Sequence, residues 1–231
     1  LIASKGKYLL IDDGISIRKF KGYLSRINVD FASINVVLVT HSHSDHTKGL
    51  DAFEQRCIYA SKSTTTVLDD HVLVPYRKYE LNGFIITVVP TSHDAVGSIG
   101  FIIEDGNEKL VYITDTGYIN KKYFDILSNR DLYIMESNHD VEMLTNGKYP
   151  FSIRQRILSD KGHLSNYDSS KYLSSFIGDN THYILLAHLS QDNNTEELAY
   201  ETLANRLKED NKHVDNIIIT KQNEETELIN V

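Results

Sequence analysis

This sequence has very little cysteine, and it lacks long apolar runs and flexible linkers. Cys57 is the one cysteine among 231 residues, which excludes a disulfide within the chain and fits a reducing compartment. No window reaches the roughly 18 uninterrupted apolar residues that a membrane helix needs, and no charged-then-apolar signal segment opens the chain. We therefore expect a cytoplasmic protein that does not bind a membrane.

Linkers rich in proline, glycine or serine are absent from the sequence, and no repeat of fixed period occurs. The chain is long enough to bury a sizeable core, because 41% of its residues are hydrophobic. We therefore predict a single domain over residues 1–231.

Basic residues are outnumbered in this chain. The sequence has 24 Lys and Arg against 32 Asp and Glu, which gives a net charge of −8. It lacks the overall positive charge of many nucleic-acid-binding proteins. A polyanionic substrate would need local compensation, and divalent metals would give it because each adds two positive charges inside the site.

Strands and helices alternate along the chain. The stretches "VVLV" (36–39) and "YILLA" (183–187) are continuously apolar, which indicates strands that are buried on both faces and therefore covered by helices. Asp105-Gly106-Asn107 favours a tight hairpin turn. Asn194 and Glu197 form a predicted capping box before a helix. The pattern predicts an α/β layered fold.

The stretch "THSHSDHTKG" (40–49) places four metal-competent side chains directly behind a buried strand. His41 and His43 are two residues apart, which puts both rings on one side of an extended segment, and Asp45 and His46 can face a second point nearby. Imidazole and carboxylate suit Zn²⁺ or Mn²⁺. The alternative is a polar loop whose histidines cap the following helix, although one Ser or Asp suffices for capping.

Three more groups follow strands, where α/β folds place their sites. They are His93 in "VVPTSHD", Asp115 in "VYITDTG" and His188 in "YILLAHLS". Taken singly, a His after a strand is more often a surface or core group than a ligand, but these three complete a set of seven with the first motif. The other candidates have no such setting and are treated as ordinary residues: His71, His182 and His213.

The string "GHLSN" (162–166) bears on the substrate. Ser165 and Asp168 form a capping box, so His163 stands just before a helix N-terminus, whose backbone N–H groups suit an anion. The alternative is that Gly162 and Ser165 merely end one helix and start the next, which leaves His163 unexplained.

The order His-x-His-x-Asp-His, His93, Asp115, His188 resembles the metallo-β-lactamase superfamily, over essentially the whole chain. Members have a four-layer αββα sandwich with a dinuclear site at one edge. The strings "TSHDAVGSIGF", "ESNHDVEMLTNGKYP", "RILSDKGHLSN" and "LAHLSQDNN" are similar to the WalJ (YycJ) family of bacterial cytoplasmic proteins within it.

The resemblance implies two divalent ions, Zn²⁺ or Mn²⁺, and assigns their ligands. The first ion would be held by His41, His43 and His93; the second by Asp45, His46 and His188; and Asp115 would bridge them. Such a pair lowers the pKa of a shared water toward about 7 and supplies the hydroxide that attacks phosphorus. Asp45 could hold or receive the proton of that hydroxide.

A likeness to tRNase Z implies further roles. His163 would bind the scissile phosphate and protonate the departing 3′-oxygen, and Glu136, otherwise a strand-end surface charge, would orient His163 and favour its charged form. Other side chains are predicted to line the substrate site: Asn138, His139, Ser165, Asn166 and Ser190. Ser190 and Asn193 could instead form only the turn before the next helix.

The resemblance therefore predicts a dinuclear metal-dependent phosphodiesterase that acts as a 5′–3′ exonuclease on DNA. Alternatives are a ribonuclease, a hydrolase of a thioester or lactone, and a regulatory partner in cell-wall signalling with structural metals. The oligomeric state stays open. The family's Gly-Ser-Ser-Gly-Asn stretch does not precede Leu1, so we expect a truncated N-terminal strand. Only 72 residues separate Asp115 from His188, too few for the extra domain of β-CASP nucleases.

Overall fold

The computed structural model describes residues 1–222 and 224–231. The chain divides into two compact units. The first consists of Leu1–Pro90 and Ala95–Ile99, and the second of Thr91–Asp94 and Gly100–Val231. Each unit has its own strands and helices, and the expectation of one domain over residues 1–231 stays a prediction.

The first unit contains a sheet in the order β1-β2-β3-β4 and also the antiparallel hairpin of β5 and β6. Its elements are β1 (Ile2–Ser4), β2 (Lys7–Ile11), α1 (Ile17–Arg26), β3 (Ile34–Val39), α2 (Ser44–Thr47), β4 (Ile58–Ala60), β5 (Lys78–Leu81) and β6 (Phe84–Pro90). Strands β2, β3 and β4 run parallel, so their carboxyl ends meet at one edge. The hairpin turns at Asn82-Gly83, where both residues have positive φ, as a two-residue turn requires.

The core of the first unit forms around β3, in which every residue except Asn35 is buried. Helix α1 buries Phe20 and Leu24, four residues apart on one face. The ring of Phe20 lies 6.3 Å from that of Phe31, edge to face. This packing holds β3 rigidly, so the residues directly after it start from a fixed point.

The second unit contains strands in the order β7-β8-β9-β10-β11. Its elements are β7 (Ile99–Glu104), β8 (Lys109–Ile113), α3 (Phe124–Leu127), β9 (Leu132–Glu136), α4 (Val141–Asn146), α5 (Phe151–Ile157), α6 (Asn166–Phe176), β10 (Tyr183–Ala187), α7 (Glu196–Glu209) and β11 (Asn216–Ile219). Strands β8 to β11 are parallel, and β7 pairs with β8 antiparallel. The carboxyl ends of β8, β9 and β10 therefore share an edge of the sheet.

Several local predictions are confirmed and one is wrong. The β7–β8 hairpin turns at Gly106, whose φ is +99°. Ser165 caps α6 by accepting a hydrogen bond from the Asp168 N–H. The cap of α7, however, is Thr195 and not Asn194, because Thr195 accepts from the Leu198 N–H while Asn194 turns its amide toward the loop after β9. In the described part of the chain, no helix is long and apolar enough to cross a membrane.

Candidate metal centre and active site

Residues 40–49, here called the ligand loop, follow β3 and include α2. This segment brings together the four ligands that the sequence predicts in it. His41 is fully buried, and its Nε2 lies 3.0 Å from His43 Nδ1. The ring of His46 lies 4.1 Å from that of His41, and its Nε2 lies 3.8 Å from Asp45 Oδ2. The tight ring packing follows from the rigid strand that precedes the loop.

Asp12, at the end of β2, fixes the ligand loop from behind. Its Oδ1 accepts from the Thr40 N–H and its Oδ2 from the Thr40 hydroxyl, each at 2.8 Å. The same Oδ2 lies 2.8 Å from His46 Nδ1 and accepts a hydrogen bond from that nitrogen. With Nδ1 protonated, the lone pair of His46 is on Nε2, the atom that can ligate a metal. The sequence reasoning missed Asp12, although its place after a strand was the signal that identified the other ligands.

The next two residues, Asp13 and Gly14, hold the backbone of the ligand loop. The Asp13 N–H donates to the His46 carbonyl at 3.0 Å, and the Gly49 N–H donates to the Asp13 carbonyl at 2.7 Å. A Cβ placed on Gly14 would overlap the carbonyl of Asp45. The backbone of the loop after β2 therefore touches the ligand loop so closely that only glycine fits at position 14.

Gly14→Ala is accordingly expected to displace Asp45 and His46 and to weaken metal binding by about 10–100-fold, the range seen when supports of metal ligands are lost. Gly22→Ala is the matched control, because nothing lies within 4 Å of a Cβ at Gly22 in α1. Metal titration of the apo-protein measures both affinities. Equal affinities in the two variants would show that the contact at Gly14 does not position the ligands.

In the second unit, two predicted ligands, His93 and His188, converge on the carboxylate of a third, Asp115. His93 Nε2 lies 3.7 Å and His188 Nε2 3.5 Å from Asp115 Oδ1. The Nδ1 of His93 donates to the Gly162 carbonyl at 3.1 Å, so its Nε2 carries the lone pair. Burial lowers the pKa of His93, which keeps the ring in the neutral form that a metal needs.

Glu136, the last residue of β9, joins two histidines and is fully buried. Its Oε1 accepts from His163 Nδ1 and from His188 Nδ1, both at 2.8 Å. Its Oε2 accepts from the Thr116 N–H at 3.1 Å and the Leu164 N–H at 2.9 Å. Burial by itself raises the pKa of Glu136, but the charges and hydrogen bonds of the two histidines lower it well below its ordinary value. The carboxylate is therefore ionised and orients both rings.

His163 lies beside Asp115 as well as Glu136, with 3.8 Å between its Nδ1 and Asp115 Oδ1. Burial alone lowers the pKa of His163, but the charge and hydrogen bond of Glu136 raise it above its ordinary value. The side chain keeps 15% of its surface exposed. A protonated imidazole held this way can bind an anion and release a proton.

Asp94 and Arg156 form a further pair next to His93 that the sequence reasoning did not identify. Asp94 Oδ1 lies 3.3 Å from His93 Nε2. Its Oδ2 accepts from Arg156 Nε, which comes from α5. The position of Asp94 directly after a predicted ligand was the available signal.

The residues predicted to line the substrate site lie close by, and several hydrogen-bond within the unit. The Asn138 amide donates to the His188 carbonyl at 2.8 Å. The Ser190 hydroxyl accepts from the Asn193 N–H at 3.2 Å. Ser165 and Asn166 are 3% and 2% exposed, and the Asn166 amide oxygen accepts from the Ser137 hydroxyl. These contacts fix the loops around His163 and His188, and their role toward substrate stays a prediction.

The histidines treated as ordinary lie in varied settings. His71 stacks on Tyr59 with 4.0 Å between ring centroids, whereas His213 has 85% of its side chain exposed. His139 was instead predicted to line the substrate site. It is 1% exposed, and burial lowers its pKa to about 4. It stays neutral behind the His163 loop.

The donor atoms in each unit fit a divalent cation. Four ligands at about 2.0–2.1 Å in a tetrahedron lie about 3.3 Å from one another. The measured separations are 3.0 Å between His41 and His43, 3.5 Å between His188 and Asp115, 3.7 Å between His93 and Asp115, and 3.8 Å between His46 and Asp45. Neutral imidazole and carboxylate are the ligand types that Zn²⁺ and Mn²⁺ accept.

Known proteins are similar to this chain in sequence and in fold. A family model described as the beta-lactamase superfamily domain matches residues 7–176. The chain is 35% identical over 222 residues to exodeoxyribonuclease YycJ of Bacillus anthracis, over 90% of this chain and 84% of that protein. It resembles the structure of the metallo-β-lactamase fold protein YhfI from Bacillus subtilis, with TM-score 0.66 and 18% identity over 95% of this chain and 86% of that one. It also resembles the structure of human tRNase Z, short form, with TM-score 0.57 and 15% identity over 82% of this chain and 85% of that one.

Fold and donor set together define a metal-dependent hydrolase of the metallo-β-lactamase superfamily. Within that superfamily, the chain belongs to the family of YycJ. The predicted α/β metallo-β-lactamase fold, the resemblance to the WalJ (YycJ) family and the expectation of a hydrolase are therefore confirmed.

Proposed function

We propose that this protein is a dinuclear metal-dependent phosphodiesterase that acts on DNA as a 5′–3′ exonuclease. The observation that carries the proposal is the His163–Glu136 pair next to Asp115. Hydrolysis of a thioester or lactone needs metal ligands but no cation that holds a phosphate group. The name of the relative in Bacillus anthracis, an exodeoxyribonuclease, supports the same substrate.

The proposed ligands divide between two ions, Zn²⁺ or Mn²⁺. One ion would be held by His41, His43 and His93, and the other by Asp45, His46 and His188, with Asp115 available to both. Divalent ions bound there supply an acidified water and stabilise negative charge on the phosphate. Asp12 and Glu136 set which nitrogen of His46 and His188 is available as a ligand.

The chain's own residues perform the remaining steps. His163 binds a non-bridging phosphate oxygen in its protonated form and donates its Nε2 proton to the departing 3′-oxygen. Glu136 stays ionised through the reaction, and its charge favours reprotonation of the His163 ring by solvent water after each turnover. Asp45, whose side chain is 67% exposed, accepts the proton of the attacking water.

The proposal is tested by giving the purified protein a panel of substrates in Zn²⁺ and in Mn²⁺. The panel contains 5′-labelled single- and double-stranded DNA, RNA of the same sequence, DNA with a phosphorothioate block at either end, and a thioester. We expect metal-dependent release of nucleotides from DNA that a 5′ block stops and a 3′ block does not. Turnover of the thioester alone would overturn the proposal in favour of an acyl hydrolase.

His41→Ala adds a test of the ligand assignment. Removing this buried ligand is expected to lower the metal content by at least about one ion per chain, because the first ion would keep only His43, His93 and the shared Asp115. Elemental analysis after gel filtration measures it, with exposed His213→Ala as the control. A full metal complement in His41→Ala would contradict the assignment.

A further inference from the structure

We propose that residues 141–161, here called the α4–α5 segment, form the surface on which single-stranded DNA lies as it enters the active site. The inference rests on the proposed function and adds which part of the protein holds the DNA beyond the cleaved bond. It also gives an acidic chain the local positive charge that a polyanion needs.

The first observation is that helix α5 and the residue after it expose large apolar side chains to solvent. Within α5, all of whose residues the structure describes, Ile157 alone is buried. Phe151 is 69% exposed, and Ile153 and Leu158 are 38% and 41% exposed. Such a helix contributes little to the core of its unit. An exposed aromatic ring on a charged surface is what single-stranded nucleic acids use as a stacking platform, since every base has a π-face.

The second observation is charge. Over the whole α4–α5 segment the sequence has four basic residues and two acidic residues, in a chain whose net charge is −8. Lys148, Arg156 and Lys161 are exposed. Arg154 instead donates to the Thr145 carbonyl and so ties α5 to the end of α4. A protein partner is the other occupant that an exposed Phe would suit, but this excess of positive charge favours a polyanion.

The third observation is the connection to the site. The His163 N–H donates to the Ile157 carbonyl at 3.0 Å, and a Cβ on Gly162 would overlap that same carbonyl. The last turn of α5 is therefore packed directly on the backbone that carries His163. Arg156 makes a second link through Asp94 to His93.

The contact between Ile157 and the His163 backbone allows the distance from this end of α5 to Phe151 to be estimated. Phe151 lies six residues before Ile157 on the same helix, which at 1.5 Å per residue is about 9 Å along its axis. Stacked nucleotides repeat at about 3.4 Å along a strand, so 9 Å corresponds to roughly three of them. A strand whose scissile phosphate lies at His163 would reach Phe151 within a few nucleotides.

The test uses the whole metal-loaded protein and fluorescein-labelled single-stranded oligonucleotides with a non-cleavable phosphorothioate backbone, in lengths from 2 to about 12 nucleotides. Anisotropy should show that Phe151→Ala weakens binding of the longer oligonucleotides by about tenfold or more, with little effect on the dinucleotide. Phe151→Trp should keep the affinity because it retains a stacking face. The double variant Lys148→Gln/Lys161→Gln should reduce the slope of log affinity against log salt by about 1.4, since each phosphate contact in a single strand contributes about 0.7.

Tyr200→Ala and Lys208→Gln on α7 are the matched controls, because they remove an exposed aromatic ring and an exposed charge elsewhere in the same unit. If Phe151→Ala binds and degrades DNA as the controls do, the inference is overturned while the nuclease function stands. If the unaltered protein neither binds nor cleaves DNA, both fail. If Phe151→Ala changes only the oligomeric state, seen by light scattering, the surface is a protein interface and the inference is again overturned.

Discussion

His163→Ala should reduce the rate of DNA cleavage by about 10²–10⁴-fold, the usual contribution of a general acid. Turnover of bis-p-nitrophenyl phosphate should fall much less, because p-nitrophenolate is a weak base that departs without a proton. The structure supports a role for His163 as a proton donor, because Glu136 accepts a hydrogen bond from its Nδ1 and raises its pKa. Burial by itself would lower that pKa. Comparing kcat on the two substrates separates proton donation from binding.

Two controls make the His163 experiment decisive. Metal content should be unchanged, since His163 is not among the proposed ligands, and exposed His213→Ala should cleave DNA at the normal rate. Equal losses on both substrates would mean that His163 binds phosphate without protonating the leaving group. An unchanged rate on DNA would remove it from the reaction.

Glu136→Gln should be the most disruptive single-atom change in the second unit. The carboxylate accepts from four donors, and an amide has only one oxygen, so two of those donors would face an N–H₂ group in a fully buried place. Each unsatisfied buried donor costs about 1–3 kcal/mol. A loss of at least about 2 kcal/mol corresponds to a fall in Tm of about 4–8 °C for a chain of this length.

The same substitution should change the pH dependence of kcat. Without the negative charge, the pKa of His163 falls, so its acid form is lost at a lower pH and the alkaline limb of the profile moves toward acid. Calorimetry and a kcat profile measure the two effects, with exposed Glu201→Gln in α7 as the control. A variant with the Tm and profile of that control would show that Glu136 is neither a buried support nor a positioning residue.

Ligand positions were predictable from the sequence because they follow strands. His93, Asp115 and His188 each follow a strongly apolar run within three residues. The parallel pairing of β8, β9 and β10 brings Asp115 and His188 to one edge of the sheet. His93 and His188 both lie within 3.7 Å of one carboxylate oxygen of Asp115. The likeness to tRNase Z predicted that Glu136 would contact His163, and the hydrogen bond between the two side chains is present.

Other features depend on contacts that sequence does not encode locally. The role of Asp12 arises only once β2 pairs with β3 in parallel, which brings its carboxylate to Thr40 and His46. Asn166 has the polarity of a substrate-binding residue, but polarity does not tell whether a side chain faces solvent or a neighbouring loop. The basic helix α1, the short helix α4 and the strand β5 were not predicted either, because short elements gain their stability from packing rather than propensity.

The backbone at the two strand-end ligands limits how this centre can be redesigned. Asp115 and His188 both have left-handed φ, +53° and +60°. Asn, Asp and His are the non-glycine residues that tolerate this region best, whereas other side chains are disfavoured there. Exchanging either ligand for Cys or Glu to change metal preference would therefore strain the main chain as well as alter the donor atom. Of the substitutions at Asp115, Asn alone keeps both its shape and its backbone preference.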